Sequence, residues 1–401
     1  MPAAAASFPM EFVFFAATLL GVALCHRHTL SVALAGLAAI LAYKFLVAGF
    51  DHGAGADGFG AHMAREWVEL ANLALLLLGF ALLARHFELT RLPDLAPDVL
   101  PHNWSGGFAL LAMVFVGSAF LDNIAAALIG ATLAAHVYDK RVHIAFLAAI
   151  VAAANAGGAG SVVGDTTTTM MWIAGKSPLD VVHAYIAAAP AFLICAVPAA
   201  LIQERHGPML KHHVGAITPD WIRVGVVAFI LIAAIAANTL ANLIDPDLVG
   251  RVPVVGLALW GALIVAALVR KPDLKALSHA LNDTLFLLTL VLAASFMPVA
   301  ALPAASWQTT FGLGMVSSVF NNIPLTALAL KQGGFDWGML AYTVGFGGSM
   351  IWFGSSAGVA VANLFPEAKS TWAWLRGAWF VPVAYAAGFF VMLGLWGWRP
   401  D

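Results

Sequence analysis

Two carboxylates stand in stretches that are otherwise apolar. Asp122 closes the segment SAFLD and is followed by Asn123, within an apolar region running from 107 to 138. Asp165 follows Gly164 and opens a run of four threonines, Thr166 to Thr169, within a second apolar region at 143–174. At the centre of a bilayer an ionised carboxylate costs about 2.5–3.5 kcal/mol or more, so a chain poor in charge keeps one there for a use. Asp165 ahead of Thr166 and Thr167 also has the pattern of a helix N-cap, and the two roles can coexist. Further oxygen donors lie in the same motifs or in matching ones downstream. Asn123, Asn155, Asn321 and Asn322 carry amides, and Thr166, Thr167, Ser355 and Ser356 carry hydroxyls. Carboxylate, amide, hydroxyl and backbone oxygens suit a hard cation such as sodium, placed at Asp122 and Asp165. They suit a soft metal poorly, since no Cys or His joins them. Thr168 and Thr169 are expected to bond back to their own helix backbone.

The elements that must position these residues are apolar and long. The chain is 62% hydrophobic and only 10% charged, against roughly a quarter charged in soluble domains, so most of its surface must face lipid. Runs able to span lie near 10–26, 29–50, 67–86, 181–203, 221–244, 253–270, 281–301 and 372–397. The polar stretches between them, such as 51–66, 86–106 and 204–220, read as loops. Residues 107–121 and 123–138, hinged at Asp122-Asn123, are too short for two crossings and predict a re-entrant hairpin. Residues 309–320 and 323–331, hinged at Asn321-Asn322, predict a second. Residues 143–174 and 336–364 are long enough to cross but are broken. Glycines mark both breaks: Gly157, Gly158 and Gly164 in one, Gly347, Gly348 and Gly354 in the other. Glycine there predicts unwound backbone, which survives at membrane depth only where protein or a water-filled cavity covers it.

The predicted fold class is an all-α polytopic membrane protein with about ten crossings and two hairpins. On that layout 13 of the 19 Lys and Arg residues fall on one side, which makes that side cytoplasmic and places both termini outside. Two ordered pairs of motifs recur. SAFLDNIAAALIG at 118–130 matches SSVFNNIPLTALA at 317–329, and AGGAGSVVGDTTT at 156–168 matches FGGSMIWFGSSAG at 346–358. Asn123 aligns with Asn322 at an offset of 199, while Gly157 with Gly347 and Gly164 with Gly354 share an offset of 190. Asp165 then faces Ser355, and Thr166 faces Ser356. One copy starts on each side of the membrane, so the pattern is an inverted-topology repeat. It predicts one transport domain over 1–401, with a first repeat at 67–203, connecting scaffold helices at 204–280 and a second repeat at 281–397. Such repeats place a site where broken helices meet near the midplane.

With net charge −2, the chain offers no basic patch for nucleic acid. Cys25 and Cys195 both sit in apolar runs and suggest neither a disulfide nor a metal cluster. The histidines fall mainly near loop ends and read as solvated or interfacial. No cofactor motif or hydrolase signature is present. An intramembrane aspartyl protease using Asp122 and Asp165 would need neither the repeat nor the glycine breaks.

At SAFLDN, NAGGAGSVVGDTTTTMMWIAG, NNIPLTA and GGSMIWFGSSAGVA the sequence resembles the ion transporter superfamily. Within it, the NhaD-type sodium/proton antiporters look closest, next to the arsenite-permease and citrate-carrier branches. The resemblance runs from about 67 to 397. It implies a scaffold and a transport domain, alternating access, a homodimer in the inner membrane of a bacterium, and a cation site drawn from Asp122, Asn123, Asp165, Thr166, Asn322 and Ser355. The second hairpin tip departs from the pattern, reading Asn321-Asn322 where the antiporter branch leads one to expect Asp-Asn. The activity implied is sodium(cation)/proton antiport. The alternative is a di- or tricarboxylate or oxyanion carrier of the same superfamily, although the motif segments contain two aspartates and no Lys or Arg.

Overall fold

The computed structural model describes residues 9–25, 28–50, 53–91, 100–209, 218–244, 251–320 and 322–400. The described chain is helical. Near the N-terminus lie α1 (Met10–Leu24), α2 (Thr29–Tyr43), which ends in a π-turn at Lys44–Ala48, and the long α3 (Gly55–Glu88). Next come α4 (Trp104–Ser118), α5 (Asn123–Val137), α6 (Ile144–Gly158) and α7 (Thr166–Ile173). The short α8 (Pro178–Val182) leads into α9 (Tyr185–His206). Then follow α10 (Trp221–Ile244), α11 (Val254–Ala267), α12 (Lys275–Ser295), α13 (Trp307–Ser317), α14 (Asn322–Gln332), α15 (Trp337–Gly347) and α16 (Ser356–Leu364). The chain closes with α17 (Thr371–Gly377) and α18 (Phe380–Trp396).

Among the described residues, three stretches are long and apolar enough to cross a membrane: Thr29–Ala48, Gly55–Glu88 and Pro178–His206. A fourth candidate is the pair α17 and α18, bent by 59°. The other apolar helices, α1, α4–α6 and α10–α12 among them, are shorter or pass over a shorter apolar window. Large apolar side chains point outward, with Leu46, Leu268 and Leu395 each more than three-quarters exposed. A surface of that kind has lipid as its natural solvent.

Among the described residues three helices are buried all round, as expected of core elements surrounded by other helices. They are α6, buried from Ala145 to Gly158, and α7 and α15, each buried along its whole length. Helices α4 and α9 cover α6, and α13 and α18 cover α15. A separate cluster joins α1, α2 and α12 around Phe12, Phe15, Ile40 and Leu290, and α3 packs along α12.

The structure corrects several local expectations. Residues 55–66 are not loop, because α3 starts at Gly55. Ala56, Ala61, Met63, Arg65 and Glu66 are good helix formers, and His62 is buried, with Nε2 2.8 Å from Ser295 Oγ and its ring stacked on Phe296. His86 is buried as well, so these two histidines are core residues rather than solvated ones. Lys44, inside the run 29–50, is buried against Glu11 at 3.2 Å, an ion pair that ties α1 to α2. Gly157, Gly158 and Gly347 stay helical. α6 continues through Gly157 and Gly158, and the break spans 159–165 with Gly164 in it. α15 continues through Gly345 and Gly347, and Gly348 opens the break at 348–355, which also holds Gly354. None of the six motif glycines has a positive φ.

Close approach explains why glycine stands at these positions. A Cβ on Gly157 would collide with the Phe115 carbonyl, and one on Gly347 with the Gly314 carbonyl. Gly164 lies against the Ser118 carbonyl, and Gly354 against that of Ser318. Each broken segment is therefore pressed onto the C-terminal end of the helix that leads into the neighbouring turn. Serine hydroxyls complete the contact. Ser118 Oγ donates to the Ala154 carbonyl at 2.6 Å, and Ser317 Oγ donates to the Val344 carbonyl at 2.6 Å.

Candidate functional site

The motif residues converge where four helix N-termini meet. Asp122 caps α5, its Oδ2 accepting from the Ile124 amide at 3.1 Å. Asp165 caps α7, its Oδ1 accepting from the Thr167 amide at 3.3 Å. Ser355 caps α16, its Oγ accepting from the Gly358 amide at 3.2 Å. Asn322 is the first residue of α14. The caps follow from residue type, because short polar side chains in extended backbone satisfy the orphan N–H groups of a helix start. Helices then cross-pack: α5 lies on α16, and α14 lies on α7. Each turn is thereby brought to the break of the other region.

A buried amide–hydroxyl network joins the pieces. Asn123 Nδ2 donates to Asn155 Oδ1 at 3.0 Å, and Asn155 Nδ2 donates to Ser349 Oγ at 2.9 Å and to Ser355 Oγ at 3.1 Å. Asn155 is wholly buried, so its hydrogen bonds are made without competition from water. The Asn322 side chain approaches the Asp165 carboxylate. Asp122 and Asp165 lie close enough for their charges to repel.

Two buried oxygens in this cluster, Asp165 Oδ2 and Thr167 Oγ1, make no hydrogen bond of ordinary geometry, although the Thr167 and Asn322 side chains both lie close to the Asp165 carboxylate. Buried side-chain oxygens are nearly always well bonded, so this pair calls for a physical reason. A carboxylate and a hydroxyl left open two residues apart at one helix start make a hard-cation donor set. Asp165 Oδ2 also faces α15 closely, since a Cβ on Gly345 would sit 3.1 Å from it.

A cavity opens beside this cluster. It has a volume of about 540 Å³ and is lined by the partly exposed Arg85, Glu88 and Asp273 and by Asp122 and Thr166. A second cavity, about 280 Å³, touches Ser355 and Ser356. The partly exposed side of the larger cavity is held by ion pairs. Arg85 meets Glu88 at 2.8 Å and Asp273 at 3.0 Å, and Arg270 meets Asp220 at 3.1 Å close by. Arg270 and Arg223 hold the Asp220 carboxyl below the usual carboxylate range, and Arg85 does the same for Asp273.

Of the residues singled out in the sequence, Asp122, Asn123, Asn155, Asp165, Thr166, Thr167, Asn322, Ser355 and Ser356 all fall in this cluster or line its cavities. Asn321 lies outside the described residues. Thr168 and Thr169 bond back to the Asp165 carbonyl at 2.8 and 3.0 Å and also to the Ser161 and Val162 carbonyls. Sequence reasoning passed over Ser349, which holds Asn155, and Tyr185, whose hydroxyl donates to the Gly157 carbonyl at 2.8 Å. Neither carries a signal beyond its polarity within an apolar run. It also passed over Asp283, a carboxylate near the start of an apolar run, which was a usable signal.

No family model matches the chain. Curated relatives do match it. Sodium/proton antiporter 2 of Arabidopsis thaliana is 25% identical over 334 residues, covering 73% of this chain and 76% of the relative. Sodium/proton antiporter 1 of the same plant is 26% identical over 334 residues, covering 73% of this chain but only 55% of the relative. The Na(+)/H(+) antiporter NhaD of Alkalimonas amylolytica is 27% identical over 340 residues, covering 73% of this chain and 69% of the relative.

Proposed function

We propose that this chain, a distant homologue of sodium/proton antiporters, is a multi-pass secondary transporter that exchanges sodium or a similar small cation for protons by alternating access. The observation that carries this reading is the pair of open buried oxygens, Asp165 Oδ2 and Thr167 Oγ1, beside a second carboxylate that lines a cavity. Burial disfavours the ionised form of a carboxylate, and a bound cation favours it. Proton and cation therefore compete for Asp122 and Asp165, and competition at a site exposed to one side at a time yields exchange. Helix N-termini at both carboxylates stabilise their charge once the proton has left. Asn123, Asn155 and Ser355 hold the two broken segments in register while that charge changes.

The architecture proposed around this site is two repeats of opposite orientation, 67–203 and 281–397, joined by 204–280. Each contributes a re-entrant hairpin and a broken span to a layout of about ten crossings. The paired carbonyl contacts of Gly157 with Gly347 and of Gly164 with Gly354, the paired serine bonds, and the cross-packing of α5 on α16 and α14 on α7 support it. A homodimer in the inner membrane of a bacterium, with both termini outside, completes the proposal. The carboxylates at two of the caps weigh against the anion-carrier alternative, which would leave those N-termini free for its substrate.

The test is reconstitution in liposomes with a trapped pH indicator, followed by pulses of sodium, lithium or potassium. Proton movement driven by sodium or lithium, and lost in Asp165→Asn, is expected. Silence with every cation from pH 6 to 9, together with uptake of carboxylates or oxyanions, would replace antiport with the anion carrier.

A further inference from the structure

We infer that Asp283, on α12, is a specificity-determining residue for transport: it captures the incoming cation in the access cavity and hands it to the Asp122/Asp165 cluster. The inference rests on the transport reading above and adds to it a group outside the two motif regions.

Asp283 lies nine residues into α12, on a stretch that is otherwise largely apolar, LNDTLFLLTLVL. Such a residue is expensive at membrane depth unless it faces water, and this one is exposed to cavity space. It lines both cavities, sharing that position only with Ile124 and Leu287 among the described residues. On one side it shares a wall with Asp122 and Thr166, and on the other with Ser355 and Ser356. It is therefore the acidic group between the two parts of the cluster. The smaller cavity has no other charged residue in its lining among the described residues. The remaining acidic groups of the larger cavity are differently placed. Glu88 and Asp273 stand beside two cations, Arg85, which pairs with both, and Lys275 in the same lining, and Asp122 belongs to the cluster itself.

Placement on α12 matters as much as charge. α12 packs against α2 and α3, and also against α14, so the carboxylate stands on a helix beside the cluster and outside the two broken segments. A single negative charge in a cleft with low-dielectric walls focuses the field and raises the local concentration of cations. Asp283 thus lends negative charge to the side of the cluster where Ser355 and Ser356 offer only neutral oxygens. The hydrogen bonds that join Asn123, Asn155, Ser349 and Ser355 across the broken segments do not involve it. Its contribution is to capture rather than to turnover.

The experiment compares sodium dependence of exchange in proteoliposomes for the wild type, Asp283→Asn and Asp283→Glu, with Asp165→Asn as the inactive reference. Asp283→Asn should raise the KM for sodium about tenfold, the lower end of electrostatic focusing, while the maximal rate stays within about twofold of wild type. Asp283→Glu should restore most of the loss. Raising ionic strength with an impermeant salt should narrow the gap between wild type and Asp283→Asn, because the effect is screened. An unchanged KM in Asp283→Asn, or a fall in maximal rate at unchanged KM that Asp283→Glu does not rescue, would overturn the inference while leaving antiport intact. A silent wild type would instead overturn the transport reading and this inference with it.

Discussion

The broken span that ends at Asp165 and the one that ends at Ser355 share backbone contacts and differ in charge. In both, a fully buried helix runs up to a glycine pair, the chain turns for a few residues, and a short polar side chain caps the half-helix that follows. In both, glycines press onto the carbonyls of the helix leading into the neighbouring turn, and a serine hydroxyl bonds to the buried helix. Even the spacing across the break agrees: a Cβ on Gly158 would lie 3.2 Å from Asp165 Cβ, and one on Gly348 would lie 3.0 Å from Ser355 Cβ. Yet one cap is a carboxylate with an open oxygen, and the other is a hydroxyl fully used between Gly358 and Asn155. The difference teaches that scaffold and chemistry are separable here. Small residues and hydroxyls build the same frame twice, and the titrating charge stands in one copy.

The sharpest way to break that comparison is at the caps. Asp165→Asn removes both the charge and the proton carrier. Loss of a charged ligand costs about 3 kcal/mol, roughly a hundredfold in cation affinity, and exchange measured with the trapped indicator should vanish. Ser355→Ala removes a neutral hydroxyl worth about 1 kcal/mol, so exchange should persist with a several-fold weaker dependence on sodium. Equal losses in the two variants would refute the separation.

Backbone contacts should behave in the opposite way, alike in both regions. Gly157→Ala and Gly347→Ala each force a methyl onto a carbonyl that cannot move without its helix, at about 1–3 kcal/mol. Both should lower the thermal midpoint of the purified protein by similar amounts, and a drop in only one would show that the frames are not equivalent. Ser118→Ala and Ser317→Ala should each cost less, about 0.6 kcal/mol for a hydrogen bond between helices in lipid, and again should match.

The smallest effect belongs to a carboxylate in neither region. Arg270, with Arg223, holds the Asp220 carboxyl low. Its stabilising contribution is therefore complete above the unfolded value of about 3.9 and is lost as pH falls through the folded value. The difference in thermal midpoint between wild type and Asp220→Asn should be small and constant from neutral pH down to about pH 5, should begin to shrink only near about pH 4, and should vanish once pH falls below the lowered folded value. A difference that grows on acidification would assign the group to another role.

Composition by itself determined that the chain is helical and faces lipid, because no soluble core could hide so much apolar surface. Residue type and order were enough to single out Asp122, Asn123, Asn155, Asp165, Thr166, Thr167, Asn322, Ser355 and Ser356, since a polar group in an apolar run is costly and so stands out. Only the tertiary structure decided the rest. The breaks at Gly164, Gly348 and Gly354 were legible, but not that Gly157, Gly158 and Gly347 stay helical and serve close approach, because sequence shows that a side chain is missing but not which carbonyl occupies its place. The helical start of α3 and the buried ion pair of Glu11 with Lys44 were hidden for a related reason, as their polar residues find partners from distant helices. The open oxygens of Asp165 and Thr167 could not be foreseen either. Whether a donor or acceptor is left unpartnered depends on every neighbour around it, and those neighbours come from segments nearly two hundred residues apart.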